Sequence, residues 1–226
     1  LMIIGKKNLI TDVKGILVGN SHDDKVKTGV TVLTSDKRFA ASVSVLGGAP
    51  GTRETDLLES DRLVNEVDAI VLSGGSAFGL DAAGGCQAKL KEEGRGIFID
   101  PVSIPIVPSA ILFDMRNEGN KDWGRFSPYR ELGYEATSQA SNQVALGRAG
   151  AAFGASTAST KGGFEMARSR LAGGHILAVV ALNTVGSPLI GNTKHYWAAP
   201  FEEDEEFGGL GSVSYTHLRA HETKAN

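Results

Sequence analysis

The sequence predicts a mixed α/β protein built as a layered sandwich. Runs with strand character outnumber runs with helical character, the two kinds are not strictly interleaved, and glycine-rich turns divide them. A strict βαβ alternation would have predicted a doubly wound sheet instead. The 226 residues are 41% apolar and hold 29 glycines against 7 prolines. That is enough for one good-sized core with many tight turns, so residues 1–212 are expected to form a single domain.

The N-terminal third reads as β. TGVTVLT (Thr28 to Thr34) and FAASVSVL (Phe39 to Leu46) are β-branched, roughly alternating runs, and the polar stretch Ser35-Asp-Lys-Arg38 between them predicts a hairpin. Glycine and proline make Gly47 to Glu54 a loop. Thr55 is then placed to cap a helix with Leu57, Leu58, Leu63, Val64 and Val67 on its apolar face. Asp68 to Ser73 is a continuous apolar run, expected as a buried strand. Ala77 to Glu93 follows as a helix ended by Gly94 and Gly96, with Cys86 on its apolar side as a core residue. Prolines 101, 105 and 108 make the next segment extended or edge-like. Residues 114–130 read as a polar loop, Pro128 to Leu146 as a helix weakened by Gly133, and Ala149 to Ala155, Phe164 to Arg170 and His175 to Leu182 as three strands. The acidic run Glu202 to Glu206 reads as a solvated loop.

Composition narrows the function. The formal charge is −3 with no basic cluster, which argues against nucleic acid as a partner. No apolar run approaches the roughly 18 residues of a membrane span, and LMIIGKKNLI is too short in apolar length for a secretion signal. With one cysteine, the expectation is a cytoplasmic protein without a disulfide framework. The last residues break the pattern. Val213 to Thr223 can be encoded in one frame by a common transposase sequencing adapter, a better account of His217 and His221 than half a metal site at i, i+4 spacing. Residues 213–226 are therefore expected to be a non-native tail, with the natural chain continuing differently after Ser212.

VLSGGSAFGLD (Val71 to Asp81) places a serine where a strand turns into a helix. A nucleophile elbow needs G-x-S-x-G, and Phe78 occupies the last position, so Ser76 is expected to cap the helix or line a substrate loop. The same turn could offer N–H groups to an anion, although its glycine spacing matches no nucleotide fingerprint. No Ser-His-Asp set can be assembled from His22, His175 and His195. Lys161, before Gly162-Gly163, is placed to put an ammonium over an open cavity. Asn183 ends the apolar run His175 to Leu182, where an amide could donate to an oxyanion. By pattern alone each also reads as structural, a solvated lysine and a turn-starting asparagine. A non-catalytic small-molecule or phosphate-binding domain therefore stays open beside an enzyme.

The order of segments carries more. NLITDVKGILVGNSHD, TGVTVL, GGAPGTRETDLL, DAIVLSGGSAFGLDAA, IPIVPSAILFD, KGG and VVALNTVG occur in series between Asn8 and Gly186, within a similarity that runs from about Asn8 to Ser212. This series resembles the DmpA-type family of L-aminopeptidase/D-esterases, β-peptidyl aminopeptidases and nylon-oligomer hydrolases. The resemblance implies a four-layer αββα sandwich and an N-terminal-nucleophile mechanism, without cofactor or metal. The precursor cuts itself before a serine or threonine, whose freed α-amine accepts the hydroxyl proton. It further implies short peptide, amide or ester substrates, and oligomers of αβ pairs. Asn183 falls on the asparagine that supports the oxyanion or positions the nucleophile, and Lys161 on a lysine that tunes it. Gly75 and Ser76 fall in a glycine loop at the substrate cavity, and Phe113 where some members carry tyrosine. Thr193 is followed by Lys194-His-Tyr-Trp197 and not by an apolar strand. The nucleophile is accordingly expected beyond Ser212, in a β-subunit segment, which would leave the chain inactive by itself.

Overall fold

The structure, a computed structural model, describes residues 3–4 and 8–212, so the expected tail at 213–226 lies outside the described residues. Two compact units divide the chain, Leu1–Ala155 with Gly162–Asn183 and Ser156–Lys161 with Thr184–Asn226. In chain order the first unit carries β1 (Ile3–Ile4), β2 (Ile16–Asp23), β3 (Thr28–Phe39), β4 (Thr52–Arg53), β5 (Val67–Ser73), α1 (Ala82–Glu92), β6 (Ile97–Ile99), β7 (Val102–Ile104), β8 (Ser109–Ile111), α2 (Tyr129–Ser138), β9 (Phe164–Leu171) and β10 (Gly174–Ala181).

The main sheet has the order β2-β3-β5-β8-β4, with β5 and β8 parallel and the other pairs antiparallel. A second, antiparallel sheet has the order β1-β9-β10. Side chains alternate faces along a strand, and the two faces of the main sheet meet different partners. Val30, Val32, Ala69 and Val71 pack with Ala82, Cys86, Leu90, Leu132 and Ala136 of the two helices. On the other face Val18, Leu33 and Leu72 pack with Phe164, Met166, Val179 and Ala181 of the second sheet. Helices, sheet, sheet is thus the order of layers in the first unit, in keeping with the sandwich expected from the sequence.

The helices touch closely because each has a glycine at the contact. A Cβ on Gly85 would meet the carbonyl of Arg130, and one on Gly133 the carbonyl of Ala82. Gly133 is therefore a packing residue, not a weak point. Cys86 is buried in the core as expected, its thiol pushed up to about 12 by burial. Gly94, in the left-handed region, ends α1 as expected; Arg95 N–H donates to Leu90 O at 2.9 Å.

Several expected elements differ. The hairpin is β2–β3, not Thr28–Thr34 with Phe39–Leu46. Its turn is set by Asp23, whose Oδ1 accepts the N–H of Lys25 at 2.8 Å and of Val26 at 2.9 Å. Strand β3 runs on through Ser35 to Arg38, with a register shift between Thr34 and Phe39. Residues 40–46 form no strand, and Leu46 is 86% exposed. The helix expected after Thr55 is a single turn, Asp56–Leu58. The Thr55 hydroxyl bonds Thr52 Oγ1 at 3.1 Å and caps nothing, while Val67 belongs to β5. Helix α2 stops at Ser138, where the chain turns to bond β2, with Val18 N–H to Ser141 O at 2.9 Å and the reverse bond at 3.1 Å. The strand expected at Ala149 to Ala155 is a short turn, Gly150–Ala152, held by Ala151 N–H on Thr31 Oγ1 at 3.0 Å. Strands β5, β9 and β10 stand where expected.

The second unit is mostly loops, with bridges Ser156↔Lys161 and Leu189↔Tyr196 and a stacked Tyr196–Phe207 pair. The acidic run is exposed from Glu203 to Glu206, and Glu202 Oε1 accepts the N–H groups of Phe207 and Gly209.

Candidate active site

Parallel neighbours β5 and β8 end side by side, and their C-terminal ends carry the candidate site. After β5 comes Gly74-Gly75-Ser76; after β8 comes Leu112-Phe113-Asp114. Three successive residues of the second segment hold other parts of the chain. Leu112 donates its N–H to Ser73 O at 2.7 Å and accepts the N–H of Ser76 at 2.9 Å. Phe113 donates its N–H to Asn183 Oδ1 at 3.0 Å. Asp114 accepts the N–H of Gly75 on Oδ1 at 2.7 Å.

This bracket corrects the reading of Ser76. The residue before the 3-10 turn Ser76–Asp81 is Gly75, no side chain caps the turn, and Ser76 itself has a positive φ of 52°. Its backbone conformation, not its hydroxyl, makes the strand-to-helix turn. Gly75 has a φ of 86°, and a Cβ on it would strike the Tyr129 ring. A Cβ on Gly74 would strike Asp114 and Thr28. The amides are committed too. Gly74 N–H goes to Gly29 O at 2.9 Å, and those of Gly75 and Ser76 go to Asp114 and Leu112. With a carboxylate seated on it, the turn is no phosphate cradle.

Asp114 is the residue that sequence reasoning missed. It is 2% exposed, and its Oδ2 accepts the Thr28 hydroxyl at 2.5 Å. Burial pushes its carboxyl above the ordinary value, opposed by the bonds from Thr28 and Gly75 and by the nearby Lys121 ammonium. Burial also lowers Lys121, countered by Asp114, and Lys121 Nζ donates to Val26 O at 2.6 Å. Tyr129 is pushed up by burial despite the Thr28 hydroxyl beside it. One signal was available: in ILFD a lone acid ends an apolar run, as a glycine pair ends the neighbouring one. The C-terminal ends of parallel neighbours such as β5 and β8 are a common place for ligand sites.

Asn183 lies at the exit of β10 and is exposed. An N–H donor at Oδ1 identifies the oxygen side of the amide, so Nδ2 is the side left for other partners. The structure thus brings Asn183 to Phe113, and Gly75 and Ser76 to the same three-residue bracket. Lys161 is exposed and belongs to the second unit, in a tight turn where Thr157 N–H meets Thr160 O at 2.8 Å. Thr193, also there, spends its hydroxyl closing a turn, donating to Ile190 O at 2.7 Å and accepting from His195 N–H at 3.2 Å.

The profile of peptidase family S58 matches residues 8–214. The chain belongs to peptidase family S58. Among curated S58-like relatives, an uncharacterized aminopeptidase of Mycobacterium tuberculosis is 39% identical over 201 residues, covering 85% of this chain and 57% of that protein. A 6-aminohexanoate-oligomer endohydrolase of Kocuria is 31% identical over 191 residues, covering 80% of this chain and 50% of that protein. The solved L-aminopeptidase D-Ala-esterase/amidase of Ochrobactrum anthropi, described as a variant of the Ntn hydrolase fold, superposes with a TM-score of 0.55 at 18% identity, over 76% of this chain and 52% of that one. The chain has the Ntn-hydrolase fold and spans about half the length of the relatives it matches. Among the described residues no helix is long and apolar enough to cross a membrane.

Proposed function

We propose that this S58 chain contributes part of the active site of a self-processing amidohydrolase that removes N-terminal residues from short peptides, amides or esters. The observation that carries the proposal is the hydrogen bond from Phe113 N–H to Asn183 Oδ1 at 3.0 Å. It fixes the amide so that Nδ2–H is available to an oxyanion as negative charge develops on a scissile carbonyl. The Gly75–Ser76 turn forms the neighbouring wall.

The reacting hydroxyl comes from a part of the protein outside these residues, as the first residue of a β segment freed by self-cleavage. Its α-amine, of pKa about 8, accepts the proton as the oxygen attacks, and an acyl-enzyme forms and is hydrolysed. Two features support a further segment. The turn-bound hydroxyl of Thr193 is not presented for attack. Strand β10 is an edge of its sheet among the described residues, with Ile176 and Val180 exposed on the face away from Phe164 and Met166. Assembly of αβ units into oligomers belongs to the same proposal.

The test is expression of the complete natural protein, followed by mass spectrometry and assay on amino-acid anilides and esters. Two chains and hydrolysis are expected. Asn183→Ala should lower kcat about 100-fold or more, the cost typical of a lost oxyanion donor. An uncut, inactive product, or full activity in Asn183→Ala, would refute the reading. So would activity of residues 1–212 alone that Thr193→Ala abolishes.

A further inference from the structure

Beside the bracket lies an open cleft of about 570 Å³ whose lining includes Phe78, Asp81, Lys121, Trp123, Arg125 and Phe126. The 3-10 turn that begins at Ser76 supplies Phe78, and the chain just after Asp114 supplies Met115, so the cleft adjoins the site by continuity of chain.

The aromatic side chains form a held series. Trp123 meets the buried Tyr129 edge-on with centroids 5.9 Å apart, and Phe78 meets Trp123 edge-on at 5.4 Å. Tyr129 anchors Trp123, which leaves Phe78, 55% exposed, and Phe126 presenting apolar surface to solvent. Burial of such rings by a ligand is favourable, and a cleft of this size suits a dipeptide-sized group.

The charges then select among apolar ligands. Asp81 is occupied by Arg130, whose Nη2 and Nε lie 2.9 and 3.2 Å from Oδ1. Lys121 gives one of its N–H groups to Val26 O at 2.6 Å, and its charge is balanced in part by the nearby Asp114. Arg125, with its guanidinium carbon 5.8 Å from the Phe126 centroid, makes no ion pair among the described residues. The open charge of the cleft is therefore cationic and forked, which suits a carboxylate.

We propose that the cleft binds the carboxylate-bearing half of a short peptide, with an apolar side chain among Phe78, Trp123 and Phe126 and its carboxylate on Arg125. Calling that half the portion released by hydrolysis rests on the amidohydrolase reading; the binding itself does not.

Trp123 is a built-in reporter, because the chain has two tryptophans and Trp197→Phe leaves Trp123 alone. Emission of that variant is followed as N-acetyl-phenylalanine or its uncharged amide is added. The acid should give a saturable change, with the amide at least about tenfold weaker. Arg125→Gln should remove the difference, and Phe78→Ala should weaken both ligands, with circular dichroism confirming the fold of each variant. No saturable change, or equal affinity for acid and amide, overturns the proposal. If the acid has no effect and sedimentation shows self-association that Phe126→Ser abolishes, the aromatic face is an interface between copies, and the proposal is again overturned. Acid binding in a complete protein that hydrolyses nothing would sink the amidohydrolase reading alone.

Discussion

Gly47-Gly48 and Gly74-Gly75 look alike in the sequence, each closing an apolar run before a loop. In the structure each pair has one left-handed glycine, Gly47 and Gly75, and the pairs differ in their surroundings. A Cβ on Gly47 or Gly48 would meet nothing within 4 Å, whereas on Gly74 and Gly75 it would collide with Asp114, Thr28 and Tyr129. The first pair lets a loop bend; the second lets three elements close on one point. Crowding, not glycine content, tells the two turns apart.

Substitution tests this contrast most strongly at Gly75. Alanine there meets both a left-handed backbone, costing about 1–2 kcal/mol, and overpacking against Tyr129, costing about 1–3 kcal/mol. Gly75→Ala should lower unfolding free energy in urea by about 3 kcal/mol; a loss below about 1 kcal/mol would mean the turn relaxes and the contrast fails. Asp114→Ala comes next, because it strands the Gly75 N–H and the Thr28 hydroxyl in a buried setting. A loss of about 2–4 kcal/mol is expected by the same measurement.

Asp114→Asn sharpens the picture through pH. The folded protein holds the Asp114 proton more tightly than the unfolded chain does, since burial raises its carboxyl above the ordinary 3.8. The stability this group contributes is therefore greatest below pH 3.8 and declines as pH rises through the raised folded value. Asparagine cannot titrate, so the variant should gain on the parent between pH 3 and pH 7. A difference that stays constant with pH would show that Asp114 is not the titrating group. Gly48→Ala is the smallest effect, within about 0.5 kcal/mol of the parent in thermal unfolding, and a large loss there would erase the distinction.

What the sequence made legible follows the same division. Strands β5, β9 and β10 were readable because their apolar patterns answer to layers on known sides. The order of segments made the sandwich readable. The hairpin was misread because Ser35 to Arg38 looks like a turn, while Asp23 makes the real one with its side chain. The long helix after Pro128 was cut short by pairing with β2, a tertiary event no local pattern reports. Asp114 was hidden for a similar reason. Its role depends on Gly75, 39 positions away, and on Thr28, 86 positions away.

Phe113 bonds Asn183 through its main chain, while its ring stands 49% exposed. Those two jobs are separable. Any residue with a backbone N–H can keep Asn183 in place, so mutation can exchange the ring for another group without disturbing the amide. Such a position is an interchangeable part in an otherwise fixed mounting. A lineage can vary the side chain there at low risk, which the packed glycines next door do not permit.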